Sequence, residues 1–127
     1  MKNIGKLIYS LLKDIPEINK RCFPLVCQTE NANGLLFPFI TYQKDSMQPE
    51  DTKDRMIYEW EHNVIISVVT DNYDQLFDIV TKVVDKVKNL EGEYNDIYVS
   101  DSVITEISED FVQGAYLSNI TLILHTD

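Results

Sequence analysis

The sequence predicts an α+β domain: an antiparallel sheet with two helices packed on one face, in the order α-β-β-β-α-β-β, with a long β-hairpin projecting. Three observations carry this. From Met56 to Val68 the even positions read Met56, Tyr58, Trp60, His62, Val64, Ile66 and Val68, with Glu59, Glu61, Asn63 and Ser67 between them. Successive side chains of a strand point to opposite faces, so the alternation marks a half-buried strand. At about 3.3 Å per residue it spans roughly 43 Å, more than so small a core needs, and part of it should reach beyond the body. Asn72 to Leu90 then repeats apolar residues at helical spacing. Finally, Ile97–Ile107 and Phe111–His125 alternate one after the other. A meander of strands with helices on one face is α+β.

The elements follow in order. Lys2 to Asp14 reads as a helix, with Ile4, Ile8, Leu11, Leu12 and Ile15 in one stripe. Pro16 ends it, because the residue before a proline avoids the α region. Arg21 to Val26 is a short strand that Pro24 confines to an edge. Gln28 to Gly34 is a polar loop with turn residues Asn31, Asn33 and Gly34. Phe37 to Lys44 is the next strand, and Asp45 to Asp54 a charged loop containing Pro49. The long strand, Arg55 to Val69, completes the hairpin.

In the second helix Asn72 suits the N-cap, and Gln75 three residues on completes a capping box. Tyr73, Leu76, Phe77, Val80, Val83, Val84 and Val87 share a face, and Gly92 supplies the stop. Asp74 and Asp78 at the start and Lys82, Lys86 and Lys88 at the end suit the helix dipole. Ile97, Val99, Val103, Thr105 and Ile107 alternate along the next strand, with Glu109-Asp110 as the turn region. Tyr116, Ser118, Ile120, Leu122 and Leu124 line one face of the last strand and should centre the core.

The chain is short enough for a single domain over residues 1–127, burying about two-thirds of its unfolded surface. No apolar run approaches the ~20 residues of a membrane helix, and no signal-peptide pattern follows Lys2 and Lys6, so the reading is cytosolic, without a membrane. Cys22 and Cys27 lack zinc spacing and read as reduced thiols. A net charge of −10 argues against a nucleic-acid-binding surface. Its distribution says more. Residues 1–27 carry Lys2, Lys6, Lys13, Lys20 and Arg21 against Asp14 and Glu17, net +3; residues 91–110 carry Glu91, Glu93, Asp96, Asp101, Glu106, Glu109 and Asp110, net −7. Such an acidic stretch serves as a solvated face; the sharper reading is that the basic end of one subunit meets the acidic end of the next, which builds rings or filaments.

Chemistry is nearly absent from the sequence. His62 takes an inward slot of the long strand and reads as structural, since no Cys, Asp or Glu joins it at metal spacing. His125 stands near the chain's end. Glu59 and Glu61 flank Trp60 on the outer face, where paired carboxylates usually solvate a sheet. Ser100-Asp101-Ser102 reads as an acidic turn, not a nucleophile elbow. Gly5, Gly34, Gly92 and Gly114 are scattered and form no phosphate loop. Trp60, Tyr58 and Tyr42 either pack across the hairpin or form an aromatic interface patch. No catalytic residue, metal site or cofactor is expected.

Five stretches resemble phage tail-completion (tail-terminator) proteins. They are Ile8 to Asp14 followed by Arg21 to Val26; Phe37 to Ser46, with its proline, aromatics and Tyr42; Val68 to Asp74 leading into the second helix; and Ala115 to Leu122. The likeness covers nearly the whole chain and lies in the order and spacing of the motifs. It implies a virion structural protein at the head-proximal end of a siphophage tail. There it would form a ring, commonly of six subunits, that stops tube growth and joins tail to head connector. The partners implied are further copies of itself, the tail tube protein and the connector protein, with DNA passing through the ring without specific recognition. Assembly in a bacterial cytoplasm, from a phage or prophage, is implied too. The family has no catalytic residues to transfer. The alternatives are an acidic protein-binding module or inhibitor of a basic partner, a small-molecule-binding α+β domain and, last, an enzyme.

The residues singled out for the interface are Lys13, Lys20 and Arg21 on the basic side, Glu106, Glu109 and Asp110 on the acidic side, and Met47 and Trp60 on the hairpin. The Asp45–Asp54 loop is expected to be mobile in the free protein, with Met47 as its anchor, so that deleting Ser46–Thr52 would leave stability nearly unchanged while abolishing head–tail joining.

Overall fold

The computed structural model describes residues 3–25, 30–31, 34–35, 37–51, 57–94 and 96–127. Helix α1 (Ile4–Leu12) is capped by Asn3, whose side chain accepts from the Gly5 amide at 3.0 Å. Strand β1 (Cys22–Pro24) follows, then the short strands β2 (Glu30–Asn31) and β3 (Gly34–Leu35), which pair with each other. The main hairpin is β4 (Phe39–Asp51) and β5 (Ile57–Thr70). Helix α2 (Tyr73–Val87) leads to β6 (Gly92–Tyr94), β7 (Ile97–Val112) and β8 (Ala115–Thr126). The six-stranded sheet has the order β1-β4-β5-β8-β7-β6.

The architecture is roughly α+β, but the expected element order is incomplete and the sheet is mixed. The polar loop Gln28–Gly34 contains β2 and leads into β3, and β6 was not foreseen. β1 runs parallel to β4, not antiparallel. The long β2–β3 excursion brings the chain back in the same direction, and parallel pairing needs a crossover of that kind.

The core gathers α1, α2 and one face of the sheet. Ile4, Leu7, Ile8 and Leu12 of α1 and Leu76, Ile79, Val83 and Val87 of α2 are buried with Ile40, Val64, Ile66, Val68, Ile120, Leu122 and Leu124. The Lys82 ammonium pairs with Glu17, tying α2 to the segment after α1. Tyr73 and Phe77 depart from expectation: they are exposed, because the buried stripe of α2 runs 76-79-83-87 and leaves them at its flank. Asn72 does cap α2, accepting from the Gln75 amide at 3.1 Å, but Gln75 accepts from the Thr70 hydroxyl instead of closing the box. The stop is Asn89 at φ 53°, not Gly92, which opens β6. Asn tolerates the left-handed conformation better than most residues.

Register changes account for the remaining differences. β7 carries irregularities between Val99 and Asp101 and between Ile104 and Glu106. Ser100–Ser102 is therefore bulged strand and not a turn, and the phase flips so that Ser102 is buried and Val103 exposed. The hairpin turn lies at Gln113-Gly114, both at positive φ, and not at Glu109-Asp110, which pair with Ser118 and Leu117. Two-residue hairpin turns of the primed types demand positive φ, and glycine supplies it cheaply.

The expected Asp45–Asp54 loop is mostly strand. β4 continues through Asp51 and pairs with β5 as far as Ile57; residues 52–54 lie outside the described residues. Backbone ladder bonds extend a hairpin whatever the polarity of its side chains. Met47 is a half-buried strand residue opposite His62. β8 pairs with β5 from Trp60 onward, so only Ile57–Glu59 reaches past it. Deleting Ser46–Thr52 should thus destabilise the protein, contrary to the sequence expectation. It removes the rungs from Ser46↔Asn63 to Asp51↔Ile57 and uncovers His62. At a few tenths to one kcal/mol per cross-strand pair the loss is on the order of 3 kcal/mol. Thermal unfolding of the deletion variant checks this, and an unchanged midpoint would contradict it.

Candidate functional site

Charge is sorted across the sheet. The basic N-terminal segment flanks β1 at one edge, and the acidic stretch occupies β6 and β7 at the other. The register places the two edges in line. One transverse row runs Ile40, Val68, Ser118, Glu109, and the next Tyr42, Ile66, Ile120, Ile107.

At the basic edge, α1, β1 and β4 enclose an open groove of about 760 Å³. Tyr9, Tyr42 and Leu25 are among its apolar walls, and Lys6, Lys20 and Lys44, all exposed, complete it. Tyr42 sits beneath α1, where Gly5 has no side chain to displace it. Burial pushes the Tyr42 phenol up, with Cys22 and Tyr9 adding to the effect. Cys22 is buried and its thiol is pushed up to about 12 by desolvation, the inert state expected of a structural cysteine. Cys27 lies outside the described residues.

The predicted basic residues play unlike parts. Lys20 lines the groove. Lys13 lies 5.8 Å from the centroid of the Tyr9 ring. Arg21 is half-buried and bonds internally: its Nε donates to the Pro38 carbonyl at 2.9 Å and its Nη2 to the Glu17 carbonyl at 3.1 Å.

At the acidic edge the β7–β8 hairpin carries Glu106, Glu109 and Asp110, all exposed. Interleaved with them are Ile107, Phe111 and Val112, from 47% to 57% exposed. Phe111 packs on Tyr116 at 4.9 Å and Tyr73 on Tyr116 at 5.5 Å. The Tyr73 hydroxyl donates to Glu109 Oε2 at 2.7 Å, which holds the phenol above its ordinary range. Asp110 accepts from the Phe111 amide. The tip thus bears both apolar and acidic groups. The sequence reading found the acids but not the aromatic cluster beside them; the signal was Phe111 and Tyr116 placed symmetrically about Gln113-Gly114, which pair across the hairpin.

Trp60 is half-buried near the far end of the main hairpin, opposite Pro49 and Thr126. Tyr42 pairs with Ile66, six residues along β5 from Trp60, so those two rings form no common patch. Tyr58's side chain lies outside the described residues.

His62 is fully buried, with Nε2 2.9 Å from Thr126 Oγ1 and no partner for Nδ1. Burial, then Lys44 and His125, lower its pKa to about 4. The β5–β8 and β7–β8 registers together assemble a cluster that the sequence reading missed: His125 lies between Asp101 on Nδ1 and Glu61, 3.4 Å from Nε2, while Ser100 donates to Glu59. Both imidazole nitrogens face carboxylates, and the Ser100 hydroxyl is turned to Glu59, so the cluster does not have the layout of a nucleophile with its base.

No protein-family model matches the chain, and no curated protein does. Its fold is similar to that of a chain in the virion of a native gene transfer agent particle, with a TM-score of 0.72 at 11% sequence identity, covering 94% of this chain and 90% of that one.

Proposed function

We infer that this chain is a structural component of a phage-like virion, which forms a ring at the head-proximal end of the tail and joins it to the head connector. The observation that supports this most is the likeness of its fold to a chain of a gene transfer agent virion over nearly its full length. The likeness of its motifs to tail-completion proteins supports the more specific placement. The ring, commonly of six copies, contacts the tail tube protein on one side and the connector on the other, and DNA passes through its lumen. Copies meet head to tail, the basic edge of one against the acidic edge of the next. Such charge pairs set register and encounter more than affinity, and salt weakens them. No catalytic step belongs to this role. Deleting the gene from the phage or prophage that carries it tests the reading. Electron microscopy should show filled heads and separate tails of irregular length. Normal joined particles would overturn it.

A further inference from the structure

We propose that the β7–β8 hairpin tip of one copy seats in the α1–β1–β4 groove of the next, with Phe111 against Tyr9, Tyr42 and Leu25 and with Glu109 and Asp110 facing Lys20 and Lys44. This rests on the ring reading above and specifies its contact.

Three observations converge on a second copy as the occupant. The groove is apolar within and cationic around, and the hairpin tip is apolar and anionic; each supplies what the other lacks. Ile107 and Phe111 are exposed although they lie on the same sheet face as the buried Ile120, and Leu25 is 66% exposed, so apolar surface at both ends stands uncovered in the single chain. The two surfaces lie at opposite edges, so one copy cannot satisfy itself. A contact between unlike surfaces is heterologous and propagates.

The register sets the offset between copies. Asp110 shares the row Phe39–Val69–Leu117, whereas the row of Tyr42 ends at Ile107 and that of Lys44 at Ile104. Copies joined this way are offset sideways and shifted along the strands by three to five residues, about 10–17 Å. The tip is also prepared for docking: the Gln113-Gly114 turn and the Tyr73–Glu109 bond hold it in place before contact, so little ordering entropy is lost.

Sedimentation velocity on the full chain, up to millimolar concentration, tests the contact with two variants. One alters the tip (Asp110→Asn with Phe111→Ser); the other alters the groove (Lys20→Glu with Lys44→Glu). These residues are exposed, and circular dichroism verifies that both variants fold. Wild type should self-associate, and each variant alone at least about tenfold more weakly. A mixture of the two should form a one-to-one dimer and nothing larger, because it retains one intact tip and one intact groove. Wild type that stays monomeric, variants that associate as wild type does, or a mixture that stays monomeric would each overturn the proposal. Association through these surfaces by a chain whose gene deletion leaves particles normal would uphold the docking and reject the ring's place in the tail. Unjoined particles together with failed docking would do the reverse.

Discussion

Leu122→Asp should yield no folded protein. Leu122 is fully buried at the middle of β8, flanked by Val64 on one side and Ile104 on the other. A carboxylate there has no cation within the apolar cluster to pair with, and its desolvation costs several kcal/mol. Small domains are stable by about 5–15 kcal/mol in total, and the lost leucine packing adds a further 2–5. Val83→Asp on α2 should act alike, since Val83 is also fully buried in that cluster. Circular dichroism and soluble yield measure the result. A cooperative thermal transition in either variant, close to that of wild type, would mean that these positions do not face the core.

Acid should weaken the protein through His62. Its folded pKa of about 4 lies below the ordinary 6.5, so the unfolded chain binds a proton that the folded one refuses. The contribution of this residue is therefore complete above the ordinary value and is lost as pH falls from there towards 4, below which it changes no further. The gap corresponds to on the order of 3 kcal/mol. His62→Leu removes the titration while keeping an apolar group of similar bulk. The stability difference between wild type and this variant, from denaturant melts at about pH 7.5 and about pH 4, should shift by that amount in the variant's favour on acidification. A difference that is constant with pH would show that His62 reaches solvent in the folded state.

Alternation and helical spacing depend only on neighbours along the chain, and what they specify was legible. The β5 stripe from His62 to Val68, the Asn72 cap and the apolar face of β8 all lie where the sequence puts them. What escaped depends on partners across the fold. Polar residues 45–51 join a strand because β5 offers them a ladder, and nothing local to that segment announces it. A bulge inserts one residue without a composition signal, so the phase beyond Ser100 could not be read from alternation. Cys22–Pro24 carries no mark of parallel pairing. At the candidate surface the charges were legible and the groove was not, since a groove comes from distant segments that only the fold brings together.

The β5–β8 pairing has a mechanical consequence. It runs from Trp60↔Thr126 to Thr70↔Tyr116 without a bulge, whereas both outer hairpins are interrupted. A pull along these antiparallel strands loads every rung together, in shear. A pull across them peels rungs singly. The molecule therefore has a stiff axis along its two central strands and compliant flanks at β4 and β7, where it would touch its neighbours. Strain from mismatched contacts would be taken up by twisting at the bulges, while the central pair kept its length.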